Sequence, residues 1–209
     1  MAVVGLAAFA AGCTSSADQQ AGQRARATTT VSTEDFVADA EDFVHLDDMV
    51  AVRGFFVANG AGYLDEAVEL AESGGAGTYP VGTIIQLIPQ EAMVKRRAGF
   101  DPGSNDWEFF ELDVTADGTV IHNRGGAEIV NRFGSGSCSS CHAQAEPKYD
   151  FVCEDTHGCE PLPVSDDLIS GLQVSDPRPR LAASAGEWPE RRKRRGGGGR
   201  SHLPSRTYW

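Results

Sequence analysis

The spacing of apolar residues predicts helices in the first third of the chain. Over residues 32–50 they recur at i, i+4, i+7 and i+8, as on one face of a helix, and Ser32 or Thr33 supplies an N-cap. A second helix is predicted over residues 63–75, where Gly74 or Gly75 provides the stop. The apolar faces comprise Phe36, Ala40, Phe43 and Val44 in the first helix and Leu64, Ala67, Val68 and Ala71 in the second.

The later apolar runs predict β-strands. Residues 52–60 and 82–89 are short runs of strand-forming residues, and a third strand is predicted at 92–94. Residues 107–125 place apolar strand formers on both sides of an Ala-Asp-Gly turn at 116–118, which predicts a β-hairpin. The body of the chain is therefore expected to combine helices with strands.

Composition separates this body from the two ends of the chain. Residues 14–31 are small, polar and aperiodic, which is typical of a linker, and residues 175–209 are expected to be a disordered, solvated basic tail. The net charge is −12, but residues 1–175 carry 9 basic and 27 acidic side chains, whereas residues 176–209 carry 9 and 3. The acidic body argues against a nucleic-acid partner and favours a partner with a basic surface; the alternative is that the charge serves solubility alone.

The first 13 residues are an apolar run that ends in small residues and Cys13. The run is too short to span a bilayer and has the length of the apolar part of a signal peptide. Its ending, Ala-Ala-Gly-Cys, resembles a lipobox, in which Cys13 carries a lipid. A cleaved secretory peptide and a buried or frayed segment are the alternatives. The first two interpretations predict export to an oxidising compartment.

Four of the five cysteines fall within residues 134–163. Cys138-Ser-Ser-Cys141-His142 is the C-x-x-C-H motif of c-type haem attachment. Two thiols three residues apart face the same side of a helical turn, where each can bond one vinyl group of the haem. The histidine that follows can then bind the iron. The motif therefore predicts one covalent haem, with Cys138 and Cys141 as thioether sites and His142 as a metal ligand.

Two other uses of these cysteines remain open. One is a zinc site, with a donor set drawn from Cys138, Cys141, Cys153 and either His157 or Cys159. The other is a plain disulfide between Cys138 and Cys141. If the first pair binds haem, we expect Cys153 and Cys159 to form a disulfide. His157, in the loop between them, is expected at the surface.

Three segments taken together resemble the cytochrome P460 family. They are "GTYPVGTIIQLI", "GFDPGSNDWEFFELDVTADGTVI" and "CSSCHAQAEPKYDFV", within roughly residues 52–155. The resemblance implies a mainly antiparallel β-domain with helices on one side, often dimeric, with one covalent haem at the C-terminal motif. We therefore expect an α+β fold, a mainly antiparallel β-sheet with N-terminal helices packed on it, in a haem domain over residues 32–165.

The resemblance also bears on activity. Members of the family that oxidise hydroxylamine carry a lysine cross-linked to the haem, and the matching place in this chain is near Leu87. The nearest lysine, Lys95, is expected to be a solvated charge at the end of a strand. Relatives that lack the lysine bind gases or transfer electrons, and this chain resembles those relatives more closely.

The residue opposite His142 decides between these activities. A methionine there suits electron transfer, and an open apolar pocket suits the binding of small ligands. Met93 is the leading candidate and Met49 the second, although a buried methionine can equally fill a core. Four phenylalanines are candidates for the walls of the haem site: Phe55, Phe56, Phe109 and Phe110.

The sequence therefore predicts a monohaem cytochrome at the cell envelope, anchored to the membrane by a lipid on Cys13, that exchanges single electrons with a basic-surfaced partner. One alternative is an enzyme that oxidises hydroxylamine or nitric oxide at the haem. Another is a protein that binds small gases such as NO or CO.

Overall fold

The computed structural model of the chain describes residues 34–130 and 136–182, and its centre is a six-stranded sheet. Each strand pairs antiparallel with its neighbours in chain order, so the sheet is a meander. The strands are β1 (Val50–Val52), β2 (Phe55–Asn59), β3 (Thr83–Gln86), β4 (Glu91–Lys95), β5 (Trp107–Thr115) and β6 (Gly118–Gly125). The expected α+β class with an antiparallel sheet is confirmed.

Tight turns join two of the strand pairs. The predicted hairpin is present, and Thr115 of β5 pairs with Gly118 of β6 across a two-residue turn. The segment 52–60, expected as one strand, takes part in a second hairpin. Arg53 adopts a left-handed conformation (φ 52°) that reverses the chain between β1 and β2. A left-handed residue followed by glycine is typical of such turns.

Both faces of the sheet are covered, because alternate side chains of each strand point to opposite sides. One face carries the N-terminal core: Phe36, Ala38, Phe43, Val44, Ala58, Val81, Ile84, Ala92, Val94, Phe110 and Leu112. The other carries the cysteine-side core: Val52, Phe55, Val57, Ala67, Ala71, Tyr79, Ile85, Met93, Trp107, Phe109, Ile129 and Val152. Segments outside the sheet complete each core.

Helix α1 (Leu64–Glu72) confirms the second predicted helix, and its buried residues pack into the cysteine-side core. Helix α2 (Cys138–His142) contains the C-x-x-C-H motif, and helix α3 (Asp166–Val174) follows it. Helix α3 was not predicted, although Ser165 caps it and two aspartates occupy its first turn. Such residues at the start of a helix were the available sequence signal.

The helix predicted over residues 32–50 is wrong for the described part of that segment. Two 3₁₀ turns form instead, Ala40–Asp42 and Leu46–Asp48. The carboxylate of Asp42 accepts a hydrogen bond from the N–H of Asp39 (2.9 Å), and the Asp39 side chain caps the first turn in return. Bonds of this kind compete with helical ones. Most of the apolar residues of the expected stripe are nevertheless buried against the sheet.

The expectation of disorder from residue 175 onward is wrong for residues 175–182. This segment packs on the face of the sheet that carries the N-terminal core. Asp176 and Arg178 are buried and form an ion pair of 2.6 Å. Asp176 also accepts a hydrogen bond from the N–H of Leu46 (2.9 Å), and Arg178 donates to the carbonyl of Phe43 (3.1 Å). The rest of the predicted tail lies outside the described residues.

None of the helices in residues 34–130 and 136–182 has the length and apolar character needed to cross a membrane. The apolar segment with Cys13 and the predicted linker at 14–31 lie outside the described residues.

Candidate functional site

The C-x-x-C-H motif forms helix α2 beside the cysteine-side core. Ser137 is the N-cap, and its hydroxyl accepts a hydrogen bond from the N–H of Ser140 at 3.2 Å. The N–H of Cys138 donates to the carbonyl of Ile129 at 2.8 Å. The first bond caps the helix, and the second fixes its first turn to the chain that follows β6.

Cys138 and Cys141 are free thiols one helical turn apart, in different surroundings. Cys138 is half-buried against the cysteine-side core, and Cys141 is exposed. Burial raises the pKa of Cys138 to about 12, and the carboxylates of Glu91 and Glu111 act in the same direction. The two glutamates pair across β4 and β5, so the sheet beside Cys138 is acidic.

We expect a thiol reagent to modify Cys141 before Cys138 when the chain is produced without haem. The thiolate is the reactive form, so a buried thiol with a raised pKa should react at least about tenfold more slowly. Timed alkylation with iodoacetamide, followed by tandem mass spectrometry of the peptide that contains both cysteines, measures the two rates. The Cys138→Ser and Cys141→Ser variants serve as references for each site. Equal rates would contradict the half-buried position of Cys138.

A backbone hydrogen bond orients His142. Its Nδ1 donates to the carbonyl oxygen of Phe151 at 2.8 Å, and a neutral imidazole then keeps a lone pair on Nε2. Burial lowers the pKa of His142, which favours the neutral form, while the bond to Phe151 acts in the opposite direction. Histidines that bind metals are commonly held in this way through their other nitrogen.

The imidazole of His142 lies against the face of the sheet that carries Met93 and Phe109. The ring centroids of His142 and Phe109 are 5.1 Å apart, and Phe109 pairs with Met93 across β5 and β4. Both side chains are buried in the cysteine-side core, against which Cys138 packs. Met49, the second candidate for the ligand opposite His142, packs against the N-terminal core on the other face of the sheet.

The four phenylalanines proposed as haem walls divide between the faces. Phe55 and Phe109 belong to the cysteine-side core, so they are placed to line a site beside helix α2. Phe110 belongs to the N-terminal core. Phe56 is half-buried and follows Phe55 in β2, so strand alternation turns it away from the site.

Cys153 and Cys159 form a disulfide, with their Cα atoms 5.7 Å apart. His157, expected at the surface of this loop, is buried instead. Its two ring nitrogens face the carbonyl oxygens of Val152 (2.6 Å) and Gly74 (3.2 Å). Cys153, Cys159 and His157 are therefore engaged in these interactions, which leaves only Cys138 and Cys141 of the alternative zinc site as free thiols. Within the described chain no three His, Cys, Asp or Glu side chains are grouped to hold a metal ion.

Lys95 is buried, so the expectation of a solvated charge is wrong. Its ammonium lies 2.6 Å from the carboxylate of Asp150 and donates to the carbonyl of Asn105 at 2.8 Å. Lys95 is two residues from Met93 in β4 and therefore points to the same face. Leu87, at the place where the resemblance puts the cross-linked lysine, is a half-buried apolar residue beside the same core.

Two residues of the site were not found from the sequence. Phe151 supplies the carbonyl that orients His142, and Asp150 supplies the carboxylate that binds Lys95. Both are in the left-handed region, with φ of 64° and 52°, where residues other than glycine are uncommon. An acidic residue between two aromatic residues is a local signal that could have marked a buried charge.

No protein-family model matches the chain, no curated protein sequence matches it, and no solved structure matches it. The resemblance to the cytochrome P460 family therefore stays a prediction from the sequence.

Proposed function

We propose that this protein is an exported monohaem c-type cytochrome that transfers single electrons. One observation carries the proposal. Helix α2 presents two free thiols on one turn, followed by a histidine whose Nδ1 donates to a backbone carbonyl. That hydrogen bond leaves Nε2 as the nitrogen that can bind iron.

The residues present fit a covalent haem in their chemistry. Cys138 and Cys141 would form the thioether bonds, and His142 would bind the iron through Nε2. When bound, the haem supplies one redox-active iron whose potential depends on its axial ligands. Met93 is the buried methionine on the face of the sheet against which His142 lies. Phe109 provides an apolar contact to the imidazole and excludes water from that side of the site.

The disulfide supports the assignment of the thioether pair. Because Cys153 and Cys159 are bonded to each other, Cys138 and Cys141 are the free thiols among the described residues. Haem attachment would therefore be directed to the pair that precedes His142.

A partner with a basic surface would complement the acidic body of the chain. A groove of about 520 Å3 lies between β1 and α1 and combines apolar and acidic side chains. Its lining residues are Val50, Leu64, Asp65, Val68, Glu69, Glu72 and Ser73. A lipid on Cys13 would hold the protein at the membrane surface and keep the domain near such a partner.

Production of the full chain in cells with a c-type maturation system tests the proposal. We expect one haem per chain that stays attached after denaturation, measured by haem staining of a denaturing gel and by intact mass. A double Cys138→Ser/Cys141→Ser variant should reduce the attached haem to background.

A matched variant separates attachment from general cysteine loss. Cys153→Ser/Cys159→Ser removes the disulfide and leaves the C-x-x-C-H motif, so it should retain attached haem. Wild-type protein without haem, or a Cys138→Ser/Cys141→Ser variant that retains it, would disprove the proposed function.

Binding of a small gas is the second candidate, and Leu87 is the observation that favours it over oxidation of hydroxylamine. An apolar side chain stands at the place of the cross-linked lysine, and Lys95 is held by Asp150. If Met93 does not bind the iron, the site would present apolar side chains opposite His142. The methionine substitution argued in the Discussion decides between this candidate and electron transfer.

A further inference from the structure

The orientation of His142 depends on an unusual turn. The carbonyl that accepts its Nδ1–H belongs to Phe151, and both Asp150 and Phe151 are left-handed, with φ of 52° and 64°. This conformation is unfavourable for residues with a side chain, and most of all for a bulky one. Interactions outside the turn must therefore hold it in place.

Asp150 receives these interactions through its carboxylate and its backbone carbonyl. It is buried, and one carboxylate oxygen accepts hydrogen bonds from Lys95 Nζ and from the side-chain amide of Asn105, both at 2.6 Å. The other oxygen accepts from the N–H of Tyr79 at 2.8 Å. The carbonyl of Asp150 accepts from the indole N–H of Trp107 at 2.7 Å. All four donors lie outside the turn.

We propose that Asp150, held by Lys95, is a positioning residue for His142: it fixes the left-handed turn that directs the Phe151 carbonyl at Nδ1. The inference deepens the proposed function and rests on it for the role of His142 as an iron ligand. The fixing of the imidazole itself does not depend on haem.

The ion pair between Lys95 and Asp150 also links the turn to the strand that carries Met93. Lys95 and Met93 lie two residues apart in β4, on the same face. The strand that carries the candidate ligand opposite His142 therefore also anchors the turn that orients His142. The ion pair thus connects the turn that orients His142 to β4, the strand that carries Met93.

Nitrogen-15 NMR of the full chain, produced without haem and labelled in its histidines, tests the positioning directly. At slightly alkaline pH we expect wild-type His142 to show a single tautomer, which is protonated on Nδ1 and unprotonated on Nε2. In Asp150→Asn the turn loses its charge pair, so His142 should show a mixture of the two tautomers. Comparison with a His142→Gln variant assigns the signals.

Asp176→Asn is the matched control, because it also breaks a buried ion pair but on the opposite face of the sheet. It should leave the His142 tautomer unchanged. If Asp150→Asn does not fold, Lys95→Met with Arg178→Met as its control gives the same comparison. In haem-loaded protein the Asp150 variant should also raise the reduction potential, because a weaker Nδ1–H bond makes the imidazole a poorer donor.

Three results would overturn the inference: a wild-type His142 protonated on Nε2, an Asp150 variant that keeps the single Nδ1–H tautomer, or an equal change in Asp176→Asn. A chain that never acquires haem but shows the expected tautomers would refute the proposed function and leave the positioning role of Asp150 intact. The two failures are therefore distinguishable.

Discussion

Replacing Asp176 by asparagine is expected to lower the free energy of unfolding by about 3–5 kcal/mol, the cost of removing one partner from a buried ion pair. The side chains of Asp176 and Arg178 are 0% and 1% exposed, and their charged groups are 2.6 Å apart. Asparagine can still accept the hydrogen bond from Leu46, but it leaves the guanidinium of Arg178 without a counter-charge. Urea unfolding of the two proteins measures the difference.

Asp117→Asn is the matched control for this substitution. Asp117 is exposed in the turn between β5 and β6, and asparagine before glycine suits the same turn. We expect a change within about 0.5 kcal/mol. A loss of less than about 1 kcal/mol in Asp176→Asn would contradict the packing of residues 175–182 against the sheet.

The stabilising effect of Asp176 should also depend on pH. Burial opposes its ionisation, but the guanidinium of Arg178 and backbone N–H groups together hold the pKa of Asp176 below its usual 3.8. The unfolded chain therefore binds a proton at higher pH than the folded chain does. The difference between wild type and Asp176→Asn should be complete above about pH 4 and shrink as the pH falls through the folded pKa.

Helices and strands were predicted correctly where the local preference of the residues for helix or strand agrees with the tertiary structure. The hairpin of β5 and β6 follows from strand-forming residues around an Asp-Gly turn, and α1 follows from its apolar face. The segment before β1 was mispredicted because its apolar spacing fits a helix equally well. There the side chains of Asp39 and Asp42 close a short 3₁₀ turn instead.

The candidate site also contains residues that the sequence could identify and residues that it could not. Cys138, Cys141 and His142 are neighbours in the sequence, so a motif was enough to find them. The partner of Lys95 is Asp150, 55 residues away, and no local pattern shows such a pair. The strand was predicted only over residues 92–94, so Lys95 was expected beyond its end as a solvated charge. In the structure β4 includes Lys95, and strand alternation puts it on the same face as Met93.

Replacing Met93 by leucine is expected to change the haem-loaded protein most strongly. Leucine keeps the volume of this buried side chain, so the packing cost should stay below about 1.5 kcal/mol. It removes the thioether, so if Met93 binds the iron as proposed, a six-coordinate, low-spin spectrum should become five-coordinate and high-spin. The reduction potential should fall by on the order of 100 mV, within the roughly 0.8 V range that axial ligands span. Optical spectra and a redox titration measure both effects.

Met49→Leu is the control, because Met49 packs on the opposite face of the sheet and should leave spectrum and potential unchanged. Wild type should resist CO and NO, whereas Met93→Leu should bind them on mixing. If wild type is already five-coordinate and binds these gases as readily as the variant, Met93 only fills the core. The protein would then be a gas-binding cytochrome, with His142 holding the iron from one side and apolar residues, Leu87 among them, facing the other.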